Sequence, residues 1–198
     1  MTAWIYRFGE GFSTGTMLFS MLWMYTRYPL LREALWLDGL LLVVYAIHWF
    51  HSFCYHLRQT DEDLYLDKLW IGRLIHVRIV RLFVFIDSTV MRVLYAASVL
   101  LSLLRGVSLD IQNYLNYTLA LFLTAFFAET RDVAYSMAYL LAATSFALGY
   151  WFWSSFGVQS PALVVLFHLA LGFKTYREEV LLQKLNRAHN TTTGIKES

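Results

Sequence analysis

The chain has 198 residues, of which 58% are hydrophobic and 15% charged, and its net charge is +2. Soluble domains carry roughly 45–50% apolar and ~25% charged residues, so a soluble fold of this length could not hide so many Trp, Phe, Leu and Tyr side chains. The small net charge gives no ground for a nucleic-acid partner, and the single cysteine, Cys54, excludes an internal disulfide or a Cys-based zinc site.

The N-terminal Met-Thr-Ala-Trp-Ile-Tyr-Arg has no charged region leading into a short apolar core and a small-residue cleavage site, so no cleavable signal peptide is expected. A first span is expected near residues 11–26, rich in small residues. Its Gly11 and Gly15 are four apart, a spacing that lets another helix approach closely. Pro29 ends it. A second span is expected near 35–55, close to the ~20 residues that a bilayer requires. Asp38 stands near its start, and Trp36, Trp49 and Tyr55 suit interfacial aromatic belts.

The end of this span carries His48, His51 and Cys54, with His56 just beyond, and then come an acidic patch (Asp61, Glu62, Asp63, Asp67) and a basic one (Lys68, Arg73, Arg78, Arg81). Residues 67–81 read as a helix with too many charges to cross lipid. Arg73 and His76 fall ~60° apart, as do Arg78 and Arg81, while the two pairs lie ~140° from each other. That is no single amphipathic face. The expectation is a basic interfacial helix whose Arg73, Arg78 and Arg81 meet protein, anionic headgroups or an acidic partner. Cardiolipin is the lipid this implies in a mitochondrial inner membrane.

Further spans are expected near 82–104, 114–128, 134–153 and 158–174, with a polar tail over 175–198. Asp87 and Arg92 lie in the third; buried membrane charges usually have partners. The fifth carries Ala138 and Ala142 at a close-packing spacing. The fold class is therefore an all-α bundle of about six membrane helices over 1–174. Lys and Arg concentrate on one set of connections, which places both termini on the same, positive-inside side.

Two constellations carry chemistry. His48 and His51 lie three apart, and His168 stands at a matching depth in the last span if the two spans run in the same direction, within ~12 Å of the inner surface at 1.5 Å per residue. Such histidines suit b-type haem or a quinone. Asp38, Asp87 and Arg92 suit an ion or proton path. No nucleophile elbow, phosphate loop or catalytic triad is present, nor a calcium loop in the acidic patch, so no metal site and no catalytic activity are expected. The leading expectation is a non-catalytic subunit of a larger membrane complex, of respiratory or ATP-synthase type, in contact with other membrane subunits and anionic lipids. A stand-alone conduit for ions or protons, and a haem- or quinone-binding redox subunit, are the alternatives. The mitochondrial inner membrane is favoured over the plasma membrane.

Overall fold

The structure is a computed structural model and describes residues 2–27, 35–83, 89–103 and 108–193. Those residues form eight helices and no strand. They are α1 (Thr2–Ser13), α2 (Thr16–Arg27), α3 (Leu35–Arg58), α4 (Asp61–Leu82), α5 (Thr89–Leu103), α6 (Leu109–Glu129), α7 (Val133–Phe156) and α8 (Pro161–Thr193). The all-α class follows the sequence expectation. Two stretches, Trp36–Arg58 and Val133–Phe156, are long and apolar enough to cross a membrane.

Local chemistry sets the helix ends. Thr60 caps α4 by accepting from Asp63 N, Ser108 caps α6 by accepting from Ile111 N, and Asp132 caps α7 by accepting from Tyr135 N at 2.8 Å. Gly157 closes α7 in the left-handed conformation (φ 64°) that favours glycine. Pro161 opens α8, where its missing N–H costs nothing. A turn at Thr14 and Gly15 separates α1 from α2. Gly15 also lets α3 approach closely: a Cβ on it would stand 2.8 Å from the Trp49 indole nitrogen.

Pairings along the chain fix the direction of each helix. At one end of the bundle, Glu10 meets His56, Arg58 meets Asp63 and Lys68 meets Asp110. At the other, Arg81 meets Asp38 and Glu179, and Arg177 meets Asp132. Between these ends the chain makes seven traverses: α1 with α2, then α3, α4, α5, α6, α7 and α8. α3 and α8 run antiparallel, so His168 is level with His56 rather than with His48.

α4 is the central traverse. Its Ile75, Ile79 and Leu82 pack with Leu119, Leu123 and Phe127 of α6 and with Leu181 and Leu182 of α8. On another face its Leu74 joins Met17, Leu18 and Met21 of α2 and Leu41, Val44 and Tyr45 of α3. The segment expected to lie along an interface therefore runs through the interior. Its Lys68, Arg78 and Arg81 meet carboxylates on other helices.

Small residues allow the close approaches. Gly11 faces Phe53 of α3, and Gly172 of α8 faces Thr16 of α2 so tightly that a Cβ would stand 2.7 Å from that of Thr16. Ala138 and Ala142 of α7 are buried, with Ser145 continuing the same helix face.

Asp132 ties the start of α7 to α8 through a two-pronged pairing with Arg177, whose Nε donates to Oδ1 at 3.2 Å. The Arg177 guanidinium, first, and the Tyr135 N–H hold its carboxyl below the usual carboxylate range. A carboxyl depressed on folding adds stability that is present above its unfolded pKa of about 3.9 and is lost as pH falls through the folded value. Asp132→Asn keeps the capping oxygen and loses the charge. The stability gap between wild type and this variant is expected to be constant from pH 7 to about 5 and to shrink below about 4, as read by thermal unfolding across pH.

Candidate functional site

Polar side chains recur along one face of α3, interrupted by Leu41. Asp38, Tyr45, His48, Ser52 and His56 fall within about 80° of one another on a helical wheel, and all five are buried. From Asp38 to His56 is 18 residues, or about 27 Å. The face is turned toward α4, α8 and the α1–α2 turn, which supply its partners.

At the Arg81 end, Arg81 is 1% exposed. Its guanidinium lies between Asp38 Oδ1, at 2.6 Å from Nε, and the Glu179 carboxylate. Tyr25 of α2 stands beside them. One turn inward, the Glu178 carboxylate takes Arg78, Lys174 Nζ at 2.6 Å and the Tyr135 hydroxyl at 3.3 Å. Three cations (Arg78, Arg81, Lys174) thus face three carboxylates (Asp38, Glu178, Glu179) in a balanced buried network. Buried charges need this kind of pairing.

Midway, His48 Nδ1 lies 3.5 Å from Asp67 Oδ1. His51 points to the α4 side as well, stacked on Trp70 with ring centroids 6.2 Å apart.

At the other end the polar face meets a cleft. His56 Nδ1 lies 3.4 Å from Glu10 Oε2, and both residues are buried. The His56 and His168 rings meet edge to face, with centroids 5.5 Å apart. His168 Nδ1 is 3.0 Å from Ser13 Oγ, and Thr16 Oγ1 donates to the His168 carbonyl at 2.5 Å. Four helices therefore converge: α1 brings Glu10 and Ser13, α2 brings Thr16, α3 brings His56 and α8 brings His168. The Gly172–Thr16 and Gly11–Phe53 approaches set this spacing.

His56 and His168 form part of the wall of a cavity of about 400 Å³ between α3, α7 and α8. The rest of the wall is mostly apolar or aromatic, including Phe146, Tyr150, Trp153, Leu163 and Phe167. Phe146, Tyr150 and Trp153 of α7 are exposed, as is Gln159 in the connection between α7 and α8, so the cavity borders both the flank and the His56 end of the bundle. Its polar groups come from Tyr55, His56, Ser145, Tyr150, Trp153, Gln159 and His168; no Lys or Arg is among the described lining residues. An apolar cleft with a few convergent polar groups is the usual form of a small-molecule site.

The residues singled out from the sequence are distributed unevenly over these centres. His168 is in the cleft, whereas His48 and His51 are placed against α4. Asp38 is in the charge network, Arg92 is exposed near the start of α5, and Asp87 lies outside the described residues. Arg78 and Arg81 turn inward to carboxylates, while Arg73 lines a small polar cavity with Gly72, Asn113 and Asn116. Nearby, His76 Nε2 is 2.7 Å from Ser98 Oγ, which donates to Asn116 Oδ1 at 2.8 Å. Glu10, Ser13, Lys174, Glu178 and Glu179 were not expected as site residues. The recurrence of polar side chains along one face of 38–56 was the signal available for the α3 side of the site. Among the described residues no cluster of three or more His, Cys, Asp or Glu side chains is arranged to hold a metal ion.

No known protein family, curated relative or solved structure matches this chain.

Proposed function

We propose that this is a multi-pass membrane protein that binds an amphiphilic small molecule in the cleft between α3, α7 and α8. The polar head lies against His56 and His168, and the tail lies along the aromatic wall of α7 and α8. The observation that carries this reading is the convergence of a carboxylate-backed histidine and a serine-backed histidine on an apolar cavity that opens sideways. A ligand arriving from within a bilayer reaches a flank opening directly.

In this reading all seven traverses cross the membrane, one more than the six spans expected from the sequence, because α4 is shielded by its neighbours. The termini then lie on opposite sides. Arg27, Arg131, Arg177, Lys184 and Arg187 belong to the Arg81 end, against Arg7, Arg58 and Lys68 at the His56 end. The positive-inside rule puts the Arg81 end on the cytoplasmic or equivalent side and the cleft toward the opposite leaflet. With no cation in its lining, the cleft suits a neutral or basic head and disfavours a phosphate or carboxylate.

The test is saturable quenching of tryptophan fluorescence by bromine-tagged dodecanol, with the protein in nanodiscs. Trp153 lines the cleft and reports occupancy. Leu163→Trp fills the cavity and is expected to weaken binding by about tenfold or more, which corresponds to ~1.4 kcal/mol. Unsaturable quenching in wild type, or unchanged affinity in the filled variant, would sink the reading.

A second reading, membership of a larger membrane complex, draws on a different observation. Val90, Val93, Leu100 and Leu103 of α5 are exposed, as are Val133, Met137, Leu140 and Leu148 of α7. Such faces suit lipid and neighbouring subunits equally, and a blue-native gel separates them: a band many times heavier than the 23.1 kDa chain with its detergent supports membership of a complex, and a monomer removes it.

A further inference from the structure

We infer that His168 presents a bare Nε2 lone pair to the cleft, so that the site selects an amphiphile whose head is a hydrogen-bond donor, an alcohol or an amine, with Ser13 acting as a positioning residue. The ligand half of this inference rests on the amphiphile reading above; the tautomer half stands on hydrogen-bond geometry alone.

A serine hydroxyl has one proton to give. Ser13 Oγ gives it to the Glu10 carbonyl, an acceptor only, at 2.6 Å. The same Oγ lies 3.0 Å from His168 Nδ1. With the hydroxyl proton already committed, that contact is a hydrogen bond only if Nδ1 carries the hydrogen and Ser13 accepts it. A neutral imidazole has one N–H, so Nε2 is left unprotonated. Thr16 fixes the backbone of the same residue by donating to its carbonyl, which holds the ring against the α1–α2 turn. Glu10 is the carboxylate at this site, and it is paired with His56.

A second acceptor follows from the same accounting. Ser145 Oγ, also in the cavity wall, donates to the Leu141 carbonyl at 2.7 Å and keeps only lone pairs for a ligand. The floor of the cleft therefore offers acceptors from α7 and α8. A head made only of acceptors, such as an ether or a quinone, would leave these two acceptors unsatisfied and would have to turn to donors elsewhere in the wall, such as the Tyr55 hydroxyl or the Gln159 amide. An O–H or N–H head satisfies them. The quinone expected from the sequence would be taken in its hydroxyl-bearing, reduced form.

Two measurements on the full chain in nanodiscs test this. The first is ¹⁵N NMR of histidine-labelled protein. His168 is expected as the Nδ1–H tautomer in wild type and in Ser13→Thr, which keeps the hydroxyl, and to move toward Nε2–H in Ser13→Ala. An Nε2–H tautomer in wild type overturns the inference. The second compares bromine-tagged dodecanol with its methyl ether. The alcohol is expected to bind about tenfold more tightly in wild type, a preference that Ser13→Ala reduces and Ser13→Thr restores. Equal binding of the two overturns donor selection while leaving the cleft reading intact. Absence of saturable binding by both overturns the cleft reading, and the ligand half of the inference with it.

Discussion

Arg81→Met is expected to destabilise the bundle by roughly 3–5 kcal/mol, the cost of breaking a buried ion pair from one side. Arg81 is 1% exposed and holds Asp38 of α3 and Glu179 of α8, themselves buried. Methionine fills a similar length but leaves two carboxylates facing each other without a cation. Either they take up a proton or the helices separate, and both cost free energy. The reverse comparison is the sharper one. Replacing the whole group by apolar residues of similar volume, as Asp38→Leu, Arg81→Met and Glu179→Met together, removes the uncompensated charge. Buried ion groups replaced as a unit by well-packed apolar residues are often as stable as the original. The triple variant is therefore expected to recover most of the lost stability, read by thermal unfolding in detergent. A single variant that melts with wild type would show that Arg81 is not buried between these partners.

Gly172→Ala is the second large effect. The added Cβ would stand 2.7 Å from Thr16 Cβ and 2.9 Å from the Thr16 backbone carbon. Neither is the end of a flexible side chain, so α2 and α8 must separate. Overpacking of this kind costs about 1–3 kcal/mol. The separation also pulls Thr16 off the His168 carbonyl and Ser13 off the ring, so the cleft is expected to lose its affinity for dodecanol in the same variant. Gly39→Ala is the control. Nothing lies within 4 Å of its added Cβ, and alanine in a helix interior gains about 0.5–1 kcal/mol over glycine. Lower stability with Gly172→Ala beside equal or higher stability with Gly39→Ala would place the effect in the α2–α8 seam rather than in helix propensity. A Gly172→Ala protein as stable as wild type would mean that this seam is looser than the structure has it.

The helices themselves were legible in the sequence, for a physical reason. Long apolar runs such as 35–55 and 134–153 have few conformations other than helix that satisfy their backbone groups away from water, and Pro29 and Pro161 punctuate the sequence around such runs. The role of α4 was not legible. Hydropathy measures what a helix would meet in lipid, and α4 meets other helices instead. Its Arg78 and Arg81 look like surface charges until Glu178, Glu179 and Asp38 are brought to them from about 100 residues downstream and about 40 upstream.

By itself the sequence determined the helical class, the apolar runs that favour a membrane and the concentration of histidines after Tyr45. Each of these depends on residue type and local spacing. Only the tertiary structure decided that α3 and α8 are antiparallel, which makes His56 rather than His48 the neighbour of His168. It alone brought Glu10 and Ser13 from the first helix to those rings. Helix direction and long-range pairing depend on how whole faces fit together, and no local pattern carries that information.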